Sequence, residues 1–367
     1  MANKQDEDLL AVEEALRRAS VKIYDEIQQH IGWTGDEISS FIKEKPGQTK
    51  TEKVNVSGDK VLQLDMLADK HVEDALRDCP VVAGFASEER DDFVVLNPEG
   101  KYLVVFDPLD GSQNVPVGIT VGAIFGVFEA RNLEEVNKGD EIVAAGYALF
   151  SSALQFAYCT RTKPVHLSQY SFVDKDWVIF LDNVQQPKKG NTYAINEGSC
   201  ANWDDIVATF VAQHLRGRSV RWMCCMVADV SRQLLQGGCF LYPADKKYPK
   251  GRLRLVYEAV PLAFMWERAG NGKAYANIKG ERILDLPIPH DDVHCRCGVI
   301  FLGEDEASKF DRLRESAPSW LGGQPEAKAK VQSSKNEEEA VAETSMLRKA
   351  LAAFAVINLV LLYRATR

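Results

Sequence analysis

Tyr102-Leu-Val-Val-Phe-Asp107-Pro-Leu-Asp110-Gly-Ser112 is the stretch on which the reading of this chain turns. An apolar run with the look of a buried strand delivers two carboxylates, a proline and a glycine onto what reads as one short turn. Asp107 and Asp110 stand three residues apart, so a turn fixed by Pro108 aims their oxygens at a common point. Hard divalent cations take oxygen ligands from carboxylates, water and substrate phosphate. The amides of Gly111 and Ser112 follow at once, and successive N–H groups at a turn or helix start form a concavity suited to phosphate. Asp-Pro and Asp-Gly are each common turn dipeptides on their own. Their combination behind a strand points to a metal site beside a phosphate site.

The rest of the chain bounds this reading. At 367 residues, with 46% hydrophobic and 26% charged residues, it has the composition of a globular protein with a large core. A formal charge of −9 argues against a nucleic-acid partner, which needs clustered Lys and Arg. The eight cysteines are dispersed with no zinc-site spacing, so they read as free thiols of a reducing compartment, mostly in the core.

Helical periodicity predicts an amphipathic helix over 8–30 (Leu9, Val12, Leu16, Ala19, Ile23, Ile27) and another over 60–78 (Val61, Leu64, Leu67, Ala68). Strands are predicted at Tyr102–Phe106, Val121–Phe128, Val143–Phe150 and Trp177–Leu181. Beyond about residue 190 the pattern alternates: helices at 203–216, 227–236 and 259–269, strands at 239–243, 252–257 and 297–302. The expected organisation is an N-terminal metal-binding half over 1–190 and a C-terminal half over 191–322.

From about residue 323 to 345 the composition shifts to Ala, Lys, Glu, Gln and Ser and reads as a flexible linker. Residues 346–367 hold the apolar run Leu351–Tyr363, flanked by Arg348, Lys349, Arg364 and Arg367. A bilayer-spanning helix needs about 20 apolar residues, and this run is short and interrupted by Asn358. A tail anchor and an amphipathic helix that packs on the body or a partner both stay open. The N-terminal helix lacks the Arg- and Ser-rich character of a transit peptide, so the expected location is cytoplasmic, with membrane contact only through residues 346–367 and the body then facing the cytosol.

Further carboxylates stand where a fold could bring them to the Asp107 segment: Asp59 in Asn55-Val-Ser-Gly-Asp59, Asp65, Glu88 with Glu89, and Glu258 after Leu253-Arg-Leu-Val-Tyr257. Glu258 lies in an apolar context, and buried acids are as a rule paired or metal-bound. With these motifs in this order, together with Ala144-Ala-Gly-Tyr147, Ile195-Asn-Glu-Gly198, Met226-Val-Ala-Asp-Val230, Tyr242-Pro-Ala and Gly251-Arg-Leu-Arg-Leu-Val-Tyr-Glu258, the chain resembles the fructose-1,6-bisphosphatase and sedoheptulose-1,7-bisphosphatase family of lithium-sensitive sugar phosphatases over about residues 10–320.

The resemblance implies a layered α-β-α-β-α fold, class α/β, with two sheets between helix layers. It implies about two to three Mg²⁺ ions per subunit, ligated by Glu88, Asp107, Asp110, Glu258 and the Leu109 carbonyl, with Asp59 near a third ion. Asp65 and Glu89 match the carboxylates that orient and deprotonate the attacking water, and Gly111, Ser112, Gln113 and Asn114 match the loop at the reacting end. Asn196, Ser199, Trp222, Tyr242 and Arg252 match residues that grip the distal phosphate, and Arg221 an arginine donated by a neighbouring subunit, whence a homodimer or homotetramer.

Three of these positions depart from the fructose-bisphosphatase pattern: Ser199 and Trp222 stand for tyrosines and Arg252 for a lysine. Ser199 opens space and Arg252 offers a bidentate phosphate fork, so sedoheptulose 1,7-bisphosphate is the favoured substrate and fructose 1,6-bisphosphate the alternative. Gln113, Val115 and Pro116 also depart from the family's loop. The AMP site reads as degraded, with Lys101-Tyr102 retained but Glu129-Ala-Arg131 unlike the expected basic residues, and no redox-responsive cysteine insertion is evident. A reading of another class, an inert tail-anchored sugar-phosphate sensor or scaffold, follows from the unusual loop and the apolar tail.

Overall fold

A computed structural model of the chain describes residues 4–31 and 63–316. Asp59 and its motif, the expected linker over 323–345 and the apolar segment 346–367 lie outside the described residues.

The first sheet has the strand order β2-β1-β3-β4-β5-β6-β7-β8. These strands are β1 (Val82–Ser87), β2 (Val94–Val95), β3 (Tyr102–Asp110), β4 (Val121–Phe128), β5 (Ile142–Phe150), β6 (Leu154–Thr160), β7 (His166–Ser171) and β8 (Asp176–Leu181). Only β1 and β3 pair in parallel; every other neighbouring pair is antiparallel. The central strands read as continuous apolar runs because both faces are covered. Val104 and Phe106 pack into one core with helices α1 (Lys4–Ile31) and α2 (Gln63–Arg77), while Leu103 and Val105 belong to the core on the other face.

That second core contains α4 (Met226–Gln236) and α5 (Val260–Arg268), which lie between the two sheets. The second sheet has the order β10-β9-β11-β15-β13, from β9 (Thr192–Ile195), β10 (Ser219–Val220), β11 (Cys239–Tyr242), β13 (Lys273–Tyr275) and β15 (Val299–Leu302). Phe240 and Phe301 point to α4 and α5, and the Trp266 indole on α5 donates to Leu302 O at 3.0 Å, tying this helix layer to the sheet. Ile195, Leu241 and Ile300 face the opposite way, onto α3 (Asp205–Phe210) and α6 (Glu304–Ser316). The layers are therefore helices, sheet, helices, sheet, helices, the mixed α/β order expected.

Several elements differ from their predicted bounds for physical reasons. The helix expected over 203–216 is α-helical only to Phe210 and continues as a π-helical turn to Leu215. The strand expected over 252–257 is reduced to β12 (Leu253–Arg254), paired with β14 (Arg296–Cys297), because the chain then winds into a π-helical turn, Leu255–Ala259, that runs straight into α5. All eight cysteines are free thiols, but Cys200 and Cys224 are exposed rather than in the core.

Candidate active site

The Asp107 segment is a bulged strand rather than a turn. Asp107 pairs with Ile124 and Asp110 with Gly122, so β3 advances three residues while β4 advances two. One extra residue in one strand locally breaks the ladder and re-aims the side chains beside it. Pro108, with no N–H to give the ladder, suits such a position. The Leu109 N–H turns inward and donates to Asp107 Oδ1 at 2.9 Å. Gly111 follows at φ 77°, and a Cβ there would stand 2.7 Å from Cys225 Cβ, so both conformation and space require glycine.

Asp110 is held by the start of α4. The Val227 N–H donates to its Oδ2 at 2.6 Å and the Cys225 thiol at 3.4 Å. Glu258 enters from the π-helical turn, where its Oε2 accepts the Arg254 N–H. Turns of this kind are frequent at functional sites. Asp107, Asp110 and Glu258 each bring a carboxylate oxygen within 4.8 Å of the others.

The remaining acids are placed by α2 and the end of β1. Asp65, Asp69 and Glu73 form one stripe on α2 at a spacing of four residues. Asp65 faces the cavity, while Asp69, fully buried, accepts from Ser87 Oγ at 2.6 Å and Arg90 Nε at 2.7 Å. Glu73 accepts from Arg90 at 2.9 Å, and the Glu89 N–H donates to Ser87 Oγ at 3.2 Å. The 87–90 turn that carries Glu88 and Glu89 is thus clamped to the helix that carries Asp65. His294 fastens it to the C-terminal half: Nε2 donates to Arg90 O at 3.0 Å, and Nδ1 accepts from Tyr257 O–H at 2.8 Å. Burial lowers the His294 pKa, which favours the neutral ring this pairing needs.

Asp65, Glu88, Glu89, Asp107, Asp110 and Glu258 line one cavity of about 400 Å³, with Leu109, Gly111, Ser112 and Gln113 completing its wall. Asp107 is 3% exposed and Glu258 7%. Burial, then the charge of Glu88 and the other acids, raises both carboxyls well above their usual range, and burial pushes Asp110 up to about 6. The Arg254 guanidinium stands 3.7 Å from Glu88 at the edge of this group. Carboxylates crowded in a low-dielectric pocket repel one another unless a cation joins them. The all-oxygen donor set and the small separation of Asp107, Asp110 and Glu258 fit a hard divalent cation.

A second cavity of about 310 Å³ adjoins the first, since Asp110 lines both. Its walls include Asn196, Trp222, Tyr242 and Arg252. The Trp222 ring stacks on Phe240 at 6.0 Å and meets Tyr242 edge-on at 5.1 Å. Arg252 lies over Tyr248 at 4.6 Å and Tyr242 at 5.7 Å, so its guanidinium is held by two aromatic faces. Ser199 and Arg221 do not line this cavity; Arg221 is exposed and donates to its own neighbour, Val220 O, at 2.9 Å.

Sequence reasoning passed over two further residues. Asp229, fully buried on α4, accepts the Met223 N–H with both oxygens, at 3.2 and 3.0 Å. Burial pushes its carboxyl up to about 7. Its signal was an acid inside the apolar run Met226-Val-Ala-Asp-Val230. Cys224 holds φ 57°, uncommon for a residue with a side chain, and also lines the second cavity.

Residues 42–175 match the family described as fructose-1-6-bisphosphatase, N-terminal domain, and residues 186–314 its C-terminal domain. A cytosolic fructose-1,6-bisphosphatase of Brassica napus is 39% identical over 274 residues, covering 71% of this chain and 79% of the relative. A class 1 fructose-1,6-bisphosphatase of Acinetobacter baumannii (strain AYE) is 36% identical over 270 residues, 70% of this chain and 82% of the relative. The crystal structure of Leishmania major fructose-1,6-bisphosphatase in holo form superposes with a TM-score of 0.72 at 27% identity, covering 84% of this chain and 94% of that one.

Proposed function

The chain belongs to the fructose-1,6-bisphosphatase family and is a phosphatase, and from that premise we propose that it removes the 1-phosphate of a sugar bisphosphate, sedoheptulose 1,7-bisphosphate before fructose 1,6-bisphosphate. The observation that carries the reading is the pair of adjoining cavities: a carboxylate-lined one for the reacting phosphate and a basic, aromatic one for the distal phosphate, with Asp110 in the wall of both.

The family is metal-dependent, and Asp107, Asp110, Glu258, Glu88 and the Leu109 carbonyl would hold Mg²⁺ here. When bound, the metal supplies charge for the phosphoryl oxygens and lowers the pKa of water. Asp65 and Glu89 orient the attacking water and take its proton. The water oxygen bonds to phosphorus as the bond from phosphorus to the sugar oxygen breaks, leaving phosphate and the sugar monophosphate. Gly111 and Ser112 amides hold the reacting phosphate while Arg252 and Tyr242 fix the distal one, so the protein works by positioning and charge. Arg252 in place of lysine supports the seven-carbon sugar; the names of the relatives favour the six-carbon one.

Phosphate release from the two sugars, side by side at saturating Mg²⁺, tests the reading. A kcat/KM ratio of about tenfold or more for the seven-carbon sugar supports it, the reverse ratio makes the chain a fructose-bisphosphatase, and turnover of neither revives the inert sensor. Subunit association, with Arg221 reaching a neighbour's site, and a cytoplasmic location belong to the same reading. Among the described residues no helix is long and apolar enough to cross a membrane.

A further inference from the structure

The segment between the two cavities is held through its backbone as well as by its side chains. Asp229 takes the Met223 N–H with both carboxylate oxygens, and the Asn114 amide donates to Met223 O at 2.8 Å and to Thr120 O at 3.3 Å. Asn114 is 8% exposed and sits in the turn Ser112–Val117 that follows the carboxylate bulge. The backbone of one residue is thus gripped at both its N–H and its C=O, by α4 on one side and by the reacting-end turn on the other. Immediately before it stands Trp222, a wall of the distal cavity, and two residues after it stands Cys225, whose thiol reaches Asp110.

We infer that Asp229 and Asn114 are positioning residues: by gripping the Met223 backbone at its N–H and C=O they fix the span between the metal carboxylates and the distal-phosphate pocket, and so the preference between six- and seven-carbon bisphosphates. This rests on the sugar-bisphosphatase reading. The two substrates share a reacting end and differ by one carbon in the distance to the far phosphate, so a rigid span discriminates and a loose one does not. A Met223 N–H without its acceptor would leave the segment free to settle elsewhere. Asp229 also lines the distal cavity, but both its carboxylate oxygens accept the Met223 N–H, so its effect on the sugar runs through that segment.

The test uses the full chain with saturating Mg²⁺ and three variants: Asp229→Ala, which removes both acceptors, Asp229→Asn, which keeps one, and Asn114→Ala, which releases the other side. The rates on both sugars are read beside each variant's Tm. Expected for Asp229→Ala is a KM about tenfold higher with kcat within about threefold, and a kcat/KM ratio between the sugars that moves toward one. Asp229→Asn falls between it and the native chain, and Asn114→Ala moves the ratio the same way. Folded variants with unchanged KM and ratio, or with kcat lost in proportion to Tm at constant KM, overturn the inference.

If the native chain turns over neither sugar, the functional reading fails, and calorimetric binding of sedoheptulose 7-phosphate and fructose 6-phosphate decides the clamp separately. Binding weakened unequally by the variants upholds it, and binding unchanged from the native chain overturns it.

Discussion

The two adjoining cavities are made in different ways. The carboxylate end is framed by backbone: a bulge in β3, a glycine that tolerates no Cβ, a π-helical turn and the first N–H groups of α4 aim buried acids at one point. The distal end is framed by side chains, with Arg252 lodged between tyrosine faces and Trp222 packed on Phe240. Chemistry that needs oxygen atoms within a few tenths of an ångström is entrusted to rigid elements. On the proposed reading, discrimination among sugars falls to the distal side chains and to the span that the Met223 clamp sets between the cavities.

The sharpest way to break this contrast is Asp107→Asn. It should cut turnover by about a thousandfold and yet raise the Tm of the metal-free protein by about 2 °C, because it deletes one charge from a buried like-charged group. Activity assay and thermal unfolding in the presence of chelator check both halves; a fall in both would mean that the acids are held by partners rather than in repulsion. Next in size, Gly111→Ala should cost about 2–4 kcal/mol of stability through its left-handed backbone and the approach of Cys225, read by denaturant unfolding.

At the distal end the expected effects are smaller. Arg252→Lys keeps the charge but loses the fork and the aromatic seat, and should raise KM about tenfold with little change in kcat. A drop in kcat instead would place Arg252 in the chemistry. Smallest of all is the response to AMP: Lys101 is engaged by Asp8 at 3.2 Å and Tyr102 is buried, so micromolar AMP should leave the initial rate unchanged. Strong inhibition in a steady-state assay would show that a nucleotide site survives.

The same contrast explains what could be read in advance. β4 was predicted residue for residue at Val121–Phe128, because a strand covered on both faces is apolar throughout. Strands β1 and β7 went unpredicted: Val-Ala-Gly-Phe-Ala-Ser is mostly small residues, with Gly84 pressed against Phe93, and His-Leu-Ser-Gln-Tyr-Ser is largely polar. The carboxylates were legible by type and order, since burying an acid in an apolar run demands a reason. Their geometry was not, because a bulge is a property of two strands and only one of them carries Asp107. Nor could spacing reveal that Arg254 N–H would draw Glu258 inward and end β12 after Arg254. Asp229 and Asn114 were equally hidden in their roles, because what they hold is the backbone of Met223, which any residue could have supplied.

The most direct measurement is phosphate release from sedoheptulose 1,7-bisphosphate and fructose 1,6-bisphosphate by the full chain, first stripped with chelator and then given back Mg²⁺. The predicted result is no turnover of either sugar without the metal and full recovery with it, in the native chain but not in Asp110→Asn. Turnover that persists without metal, or that Asp110→Asn retains, would contradict a catalytic metal at the β3 bulge.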